Sequence, residues 1–134
     1  FKKMVAERGL EAEFVIRSAA TSAEEIENGV GKPVYPPARA ELEKHGISPD
    51  GKQAVQLQHS DYDKYDLFIG MDSANIRNMH RILGGDPQGK IRKLMDYTPN
   101  GGDVADPWYT RRFDVTYADV NAGCEGLLAE LLNQ

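Results

Sequence analysis

The sequence predicts an α/β fold built on a mostly parallel sheet. Three observations carry that expectation. The run Leu67-Phe68-Ile69-Gly70-Met71 is continuously apolar, as strands covered on both faces are. Segments with strand character alternate with segments of helical period along the chain. No internal repeat appears that would point to a solenoid or propeller.

The elements follow in order. Residues 1–8 read as an amphipathic helix, with Phe1, Met4 and Val5 on one face and Gly9 as its stop. No N-cap precedes it, so further sequence is expected upstream of Phe1. Residues 13–18 read as a strand that enters the small-residue turn Ala19-Ala20-Thr21-Ser22; Ser22 and Glu25 have capping-box spacing. Residues 28–37 are rich in Gly and Pro and read as a surface loop. Pro36-Pro37 opens a helix that runs to His45 and closes at Gly46. Residues 47–58 read as a short extended piece.

Ser60 is expected to cap a short polar helix through Tyr65, and the apolar strand 67–71 follows. Asp72 or Ser73 caps the next helix, with Ile76, Met79, His80 and Leu83 along one side. Residues 84–89 form a loop and residues 91–95 a strand. Residues 95–113 are long and irregular, and a connection of that length in a compact fold is usually functional or disordered. Asp114 caps the last helix, whose buried stripe is Tyr117, Val120, Cys124, Leu127, Leu128 and Leu131. Residues 1–134 are read as a single domain.

Composition narrows the function classes. The chain has 134 residues, 40% of them hydrophobic and 28% charged, as in ordinary globular proteins. A net charge of −5 argues against a nucleic-acid partner, so an anionic ligand would need a local site. No run of about 18 apolar residues exists, which argues against a membrane span. A single cysteine and the lack of a basic-then-apolar leader point to a cytoplasmic setting.

Several motifs have ordinary explanations. Gly84-Gly85-Asp86-Pro87-Gln88-Gly89-Lys90 has the G-x-x-x-x-G-K spacing of a phosphate loop, but Ile91 replaces the magnesium-binding Ser or Thr and a helix precedes it. Gly29-Val30-Gly31-Lys32 is followed by Pro33 and reads as a turn. Asp61, Asp63 and Asp66 lack the glycine and closing Glu of a calcium loop. His45, His59 and His80 do not pair at metal-binding spacing, so no metal is expected. Cys124 lies on an apolar stripe and reads as packing; the residue six positions on is Glu130, not Arg.

The run Ala105-Asp106-Pro107-Trp108-Tyr109 stands apart. Asp-Pro is common in turns, and Trp and Tyr could simply plug a core. Yet the run lies in the longest loop, after Gly101-Gly102 as a hinge, and its aromatics suit a flat substrate. Neighbouring aromatics also desolvate a carboxyl and keep its acid form available near neutral pH.

Taken together, these segments resemble the low-molecular-weight protein tyrosine phosphatase family. The resemblance is carried by Ser18-Ala19-Ala20-Thr21-Ser22 with Glu25-Ile26, Tyr35-Pro36-Pro37-Ala38-Arg39, His45-Gly46-Ile47, Asp61-Tyr62 with Tyr65-Asp66, Met71-Asp72-Ser73-Ala74-Asn75, and Ala105-Asp106-Pro107-Trp108-Tyr109. It implies a flavodoxin-like three-layer sandwich with a parallel sheet in the order 2-1-3-4. It implies phosphotyrosine or aryl phosphate hydrolysis through a phosphocysteine, with Asp106 as general acid and then base. Trp108 and Tyr109 would line the substrate crevice, with Glu24 where many relatives carry an aromatic. Ser18 would brace the phosphate loop and Asp72 would position that loop's Arg. No cofactor or metal is implied; the partner is a phosphorylated protein or small aryl phosphate, and the assembly a monomer or weak dimer.

The resemblance also implies that the family's first strand and its C-x5-R loop lie upstream of Phe1. Residues 1–134 by themselves would then lack the nucleophile and be inactive. Two alternatives stay open on the same fold. One is a non-catalytic pseudophosphatase or interaction fragment; the other is a relative of the arsenate reductases or protein-arginine phosphatases.

Overall fold

A computed structural model describes residues 1–21, 26–27, 30–31, 36–48, 55–105 and 112–133. Its elements are α1 (Lys2–Glu7), β1 (Ile26–Glu27), β2 (Val30–Gly31), α2 (Pro36–Lys44), β3 (Phe68–Gly70), α3 (Ser73–Leu83), β4 (Ile91–Lys93) and α4 (Phe113–Leu132), with 3-10 turns at Glu11–Glu13, His59–Asp63 and Leu94–Tyr97.

The centre of the fold is the parallel pair β3–β4, in which Phe68, Ile69 and Gly70 face Ile91, Arg92 and Lys93. Strand side chains alternate between faces, and that alternation sorts the core into two layers. Phe68 packs with Met79 and Leu83 of α3, with Ile91, Leu57 and Tyr62. Leu67, Ile69 and Met71 pack on the opposite side with Cys124 and Leu127 of α4, Leu94, Val104 and the α1 face of Phe1 and Met4. Helices therefore cover both faces of a parallel sheet, the three-layer α/β arrangement expected from the sequence. Gly70 faces α3 so closely that a Cβ there would lie 2.7 Å from Met79 Cε.

Helix α3 begins where expected. Asp72 is its N-cap and accepts from the Asn75 amide at 2.8 Å. It ends at Gly84 in the left-handed region, with φ of 79°. His80, expected on the buried side, is exposed, whereas Met79 and Leu83 are buried.

Other expectations need correction. The strand expected at 13–18 is a 3-10 turn at Glu11–Glu13 that gives way to extended backbone at Phe14; an isolated parallel bridge joins Ala20 to Gln56. Extended backbone becomes strand only with a ladder partner, and residues 14–19 have none among the described residues. The loop expected at 28–37 includes instead the strand β2, which pairs antiparallel with β1 just before it. The dipeptide between those strands is Asn28-Gly29, the strongest short hairpin signal, outweighed in the sequence reading by the prolines that follow.

The helix expected from Ser60 is the shorter 3-10 turn His59–Asp63, capped by Gln58, whose amide donates to Asp61 at 2.9 Å. The strand at 91–95 stops at Lys93 because Leu94–Tyr97 turns away as a 3-10 segment to meet α4. Arg112, not Asp114, is the N-cap residue of α4. Asp114 sits inside the first turn, where two 3.0 Å hydrogen bonds from the Arg112 guanidinium hold its carboxyl down at about 2.

The stripe of α4 buries Cys124, Leu127 and Leu128 as expected, and also Gly123. Gly123 and Gly126 allow the Leu94–Tyr97 segment to approach. A Cβ at Gly123 would meet Leu94 Cγ at 2.4 Å, and one at Gly126 would meet the Tyr97 carbonyl oxygen at 1.9 Å.

Candidate active site

In open α/β sheets, ligands bind beyond the carboxyl ends of the strands. Here that region comprises residues 71–75 after β3 and residues 103–105, which return beside them. The return is fixed by backbone: the Val104 amide donates to the Met71 carbonyl at 2.9 Å. Val104 is itself buried in the α4-side core.

Asn75 organises the β3 end. Its Oδ1 accepts from the Met71 amide at 3.0 Å, while its own backbone amide donates to Asp72 Oδ1. Its Nδ2 donates to the Thr21 hydroxyl at 3.3 Å. One side chain thus ties the end of β3 to the segment that contains Ser18. Asp72 is half-buried and held as a cap; Ser18 is exposed.

Asp103 lies at the same edge. Its Oδ1 accepts from Lys93 Nζ at 2.8 Å and from Ser73 Oγ at 3.2 Å. The hydrogen bond between them lowers the Asp103 carboxyl and raises the Lys93 ammonium relative to their ordinary values. Just before it, Gly101 and Gly102 have φ of 62° and 86°, a left-handed backbone that suits glycine and little else.

Residue 105 is gripped from the other side. The Ala105 amide donates to Asp119 Oδ2 at 3.1 Å, and its carbonyl accepts from Thr116 Oγ1 at 2.8 Å. Both partners belong to α4. The peptide groups of Ala105 are therefore fixed one residue before Asp106.

Of the site residues expected from sequence, the structure brings Asp72 to this edge and leaves Ser18 exposed on a neighbouring segment tied in through Thr21. Asp106, Trp108, Tyr109 and Glu24 lie outside the described residues. Sequence reasoning missed Asn75, Asp103, Thr116 and Asp119 as site-forming residues. Asn75 could have been found from its position three after the cap Asp72; Thr116 and Asp119 carry only an i, i+3 spacing on one helix face.

The motifs with ordinary explanations are structural. Asp86 accepts from the Tyr62 hydroxyl and the Lys90 amide, each at 2.7 Å, and from the Ile91 amide at 3.0 Å. Lys90 Nζ donates to the Tyr62 carbonyl at 2.7 Å and lies 4.5 Å from that ring's centroid. The Gly84-to-Lys90 loop is thus folded around its own Asp, and its lysine is engaged. His45 stacks on Tyr117 at 3.7 Å and bonds Glu41 at 3.0 Å, an interhelical packing role where the sequence suggested a helix-dipole role.

Cys124 is 6% exposed within the core, and burial pushes its thiol up, away from the thiolate a nucleophile needs. No group of three or more His, Cys, Asp or Glu suited to a metal occurs among the described residues. No helix among them is long and apolar enough to cross a membrane.

The chain matches the low molecular weight phosphotyrosine protein phosphatase family over residues 1–134. It is 33% identical over 133 residues to the low molecular weight protein-tyrosine-phosphatase YfkJ of Bacillus subtilis, covering 98% of this chain and 83% of that protein. The crystal structure of YfkJ superposes with a TM-score of 0.88, at 31% identity, over 98% of this chain and 82% of that one. The protein-tyrosine-phosphatase PtpA of Staphylococcus haemolyticus is 31% identical over 100 residues, which cover 74% of this chain and 63% of PtpA. Sequence and fold agree over nearly all of its length: the chain belongs to the low molecular weight phosphotyrosine protein phosphatase family.

Proposed function

We propose that residues 1–134 form the bulk of an enzyme that hydrolyses phosphotyrosine, in a protein or as a small aryl phosphate, with Asp106 as its general acid and base. The observation that carries this reading is the double anchoring of Ala105. It fixes the residue that leads into Asp106, and the residue before that is tied to the Met71 carbonyl at the end of β3. Membership of the family and the name of YfkJ support the substrate class.

The chemistry divides into two displacements. A thiolate attacks phosphorus as the aryl C–O–P ester breaks at the P–O bond, and the Asp106 carboxyl gives its proton to the departing phenolate. The Asp106 carboxylate then takes a proton from water as that water attacks the phosphocysteine, releasing phosphate and the thiolate. Trp108 and Tyr109 would flank the aromatic ring, with Glu24 at the rim. Asp72 and Ser18 would support the phosphate-binding backbone.

Cys124 is a poor candidate for the thiolate, because it is enclosed by Leu94, Met95 and Leu127. In this reading the thiolate and its phosphate-binding Arg come from outside residues 1–134.

The test uses the protein as its gene encodes it. Asp106→Asn should slow phenyl phosphate hydrolysis by about 100-fold or more, while Cys124→Ser should leave turnover within about two-fold. Near-normal turnover in Asp106→Asn would remove the acid role. Loss of activity in Cys124→Ser with an unchanged melting temperature would make Cys124 the nucleophile after all.

A further inference from the structure

We propose that Asp119 and Thr116 are positioning residues of this enzyme, fixing on α4 the Ala105 peptide that immediately precedes Asp106. This inference rests on the assignment of Asp106 as the general acid.

The argument begins with the direction of one proton. A threonine inside a helix commonly donates to the carbonyl four residues back, here Arg112. Thr116 Oγ1 does lie 3.4 Å from the Arg112 carbonyl oxygen, but it is 2.8 Å from that of Ala105. A hydroxyl has one hydrogen, and the shorter contact is outside the helix. The same oxygen therefore touches the two residues that flank 106–111, and bonds better to the one that leads into Asp106.

Asp119 completes the grip. It stands one turn further along the same face of α4 and accepts from the Ala105 amide at 3.1 Å. Ala105, Thr116 and Asp119 are all half-buried, so these bonds are partly shielded from competing water. The preceding residue is held independently, through Val104 N–H to the Met71 carbonyl at 2.9 Å. Two successive residues are thus fixed to two different elements, the end of β3 and the start of α4. Such fixing matters for a proton donor, because displacement by about 1 Å can cost a large factor in rate.

A misplaced general acid has a distinctive signature: the loss is large for a poor leaving group and small for one that departs without a proton. In the protein as encoded, Asp119→Ala and Thr116→Val should each lower kcat/KM for phenyl phosphate, which ends at phosphocysteine formation, by about 10-fold. They should lower kcat/KM for 2,4-dinitrophenyl phosphate by less than about two-fold. Thr116→Ser keeps the hydroxyl and should restore the phenyl phosphate rate. Equal losses on both substrates, or no loss on either, would overturn the assignment.

Asp106→Asn run alongside separates the two readings. If it shows the leaving-group-selective loss and the α4 variants do not, the positioning role fails alone. If Asp106→Asn lacks that loss, the acid assignment fails, and hydrogen exchange decides the clamp. Exchange of the Ala105 amide should quicken by about 10-fold or more in Asp119→Ala; an unchanged rate refutes the grip itself.

Discussion

The Asn75 side-chain amide donates to the Thr21 hydroxyl at 3.3 Å, joining two segments 54 residues apart at the edge of the candidate site. The same side chain accepts from the Met71 amide at 3.0 Å, where β3 ends. Asn75 therefore sets the spacing between the segment that carries Ser18 and the turn that carries Asp72.

Asn75→Ala should cost about 1–2 kcal/mol, because it strips the Met71 amide of its partner at a half-buried position. Thr21→Val should cost less, since the freed Asn75 amide can turn to water. A double-mutant cycle by urea denaturation should give a coupling of about 0.5 kcal/mol between the two. Strict additivity would mean that the 3.3 Å contact contributes nothing.

Asp86 supplies a pH prediction. Burial pushes its carboxyl up, but hydrogen bonds from the Tyr62 hydroxyl and the Ile91 and Lys90 amides outweigh this and bring it below the ordinary 3.8. A depressed carboxylate contributes stability that is fully present above its unfolded value and lost as pH falls through the folded one. Asp86→Asn should therefore melt several degrees lower at pH 7. The gap to the native chain should narrow as the pH is taken below 3.8, and a gap of constant width would exclude ionisation as its source.

How much of this was legible in the sequence depends on the range of the forces involved. The strand around Phe68 and Ile69 was legible because burial on both faces leaves a continuous apolar run, and the α4 stripe because its period is local. The cap at Asp72 or Ser73 was legible because capping is a contact within one turn, and it falls on Asp72. The β1–β2 hairpin was signalled by Asn28-Gly29 and missed. Asn75 was open to view only through its local bond to Asp72; its tie to Thr21, and those of Thr116 and Asp119 to Ala105, were not, since tertiary folding alone brings these partners together. The strand expected at 13–18 shows the converse: its composition suits a strand, but a ladder requires a neighbour that composition does not supply.

The two glycines of α4 give the sharpest stability prediction. Glycine inside a helix ordinarily costs about 1 kcal/mol relative to alanine, so Gly→Ala would be stabilising at an open position. At Gly126 the added Cβ would lie 1.9 Å from the Tyr97 carbonyl oxygen, which is backbone and cannot rotate away. Leu94–Tyr97 or α4 would have to shift, at a cost of about 1–3 kcal/mol that offsets the propensity gain and exceeds it. At Gly123 the nearest atom is Leu94 Cγ at 2.4 Å, but this belongs to a side chain, 2% exposed in the core. Relief there requires repacking of Leu94 against Cys124 and Leu127. Gly126→Ala should therefore lower the melting temperature more than Gly123→Ala, and both should fall below the native chain. A rise in either would show that the Leu94–Tyr97 turn rides further from α4 than these contacts allow.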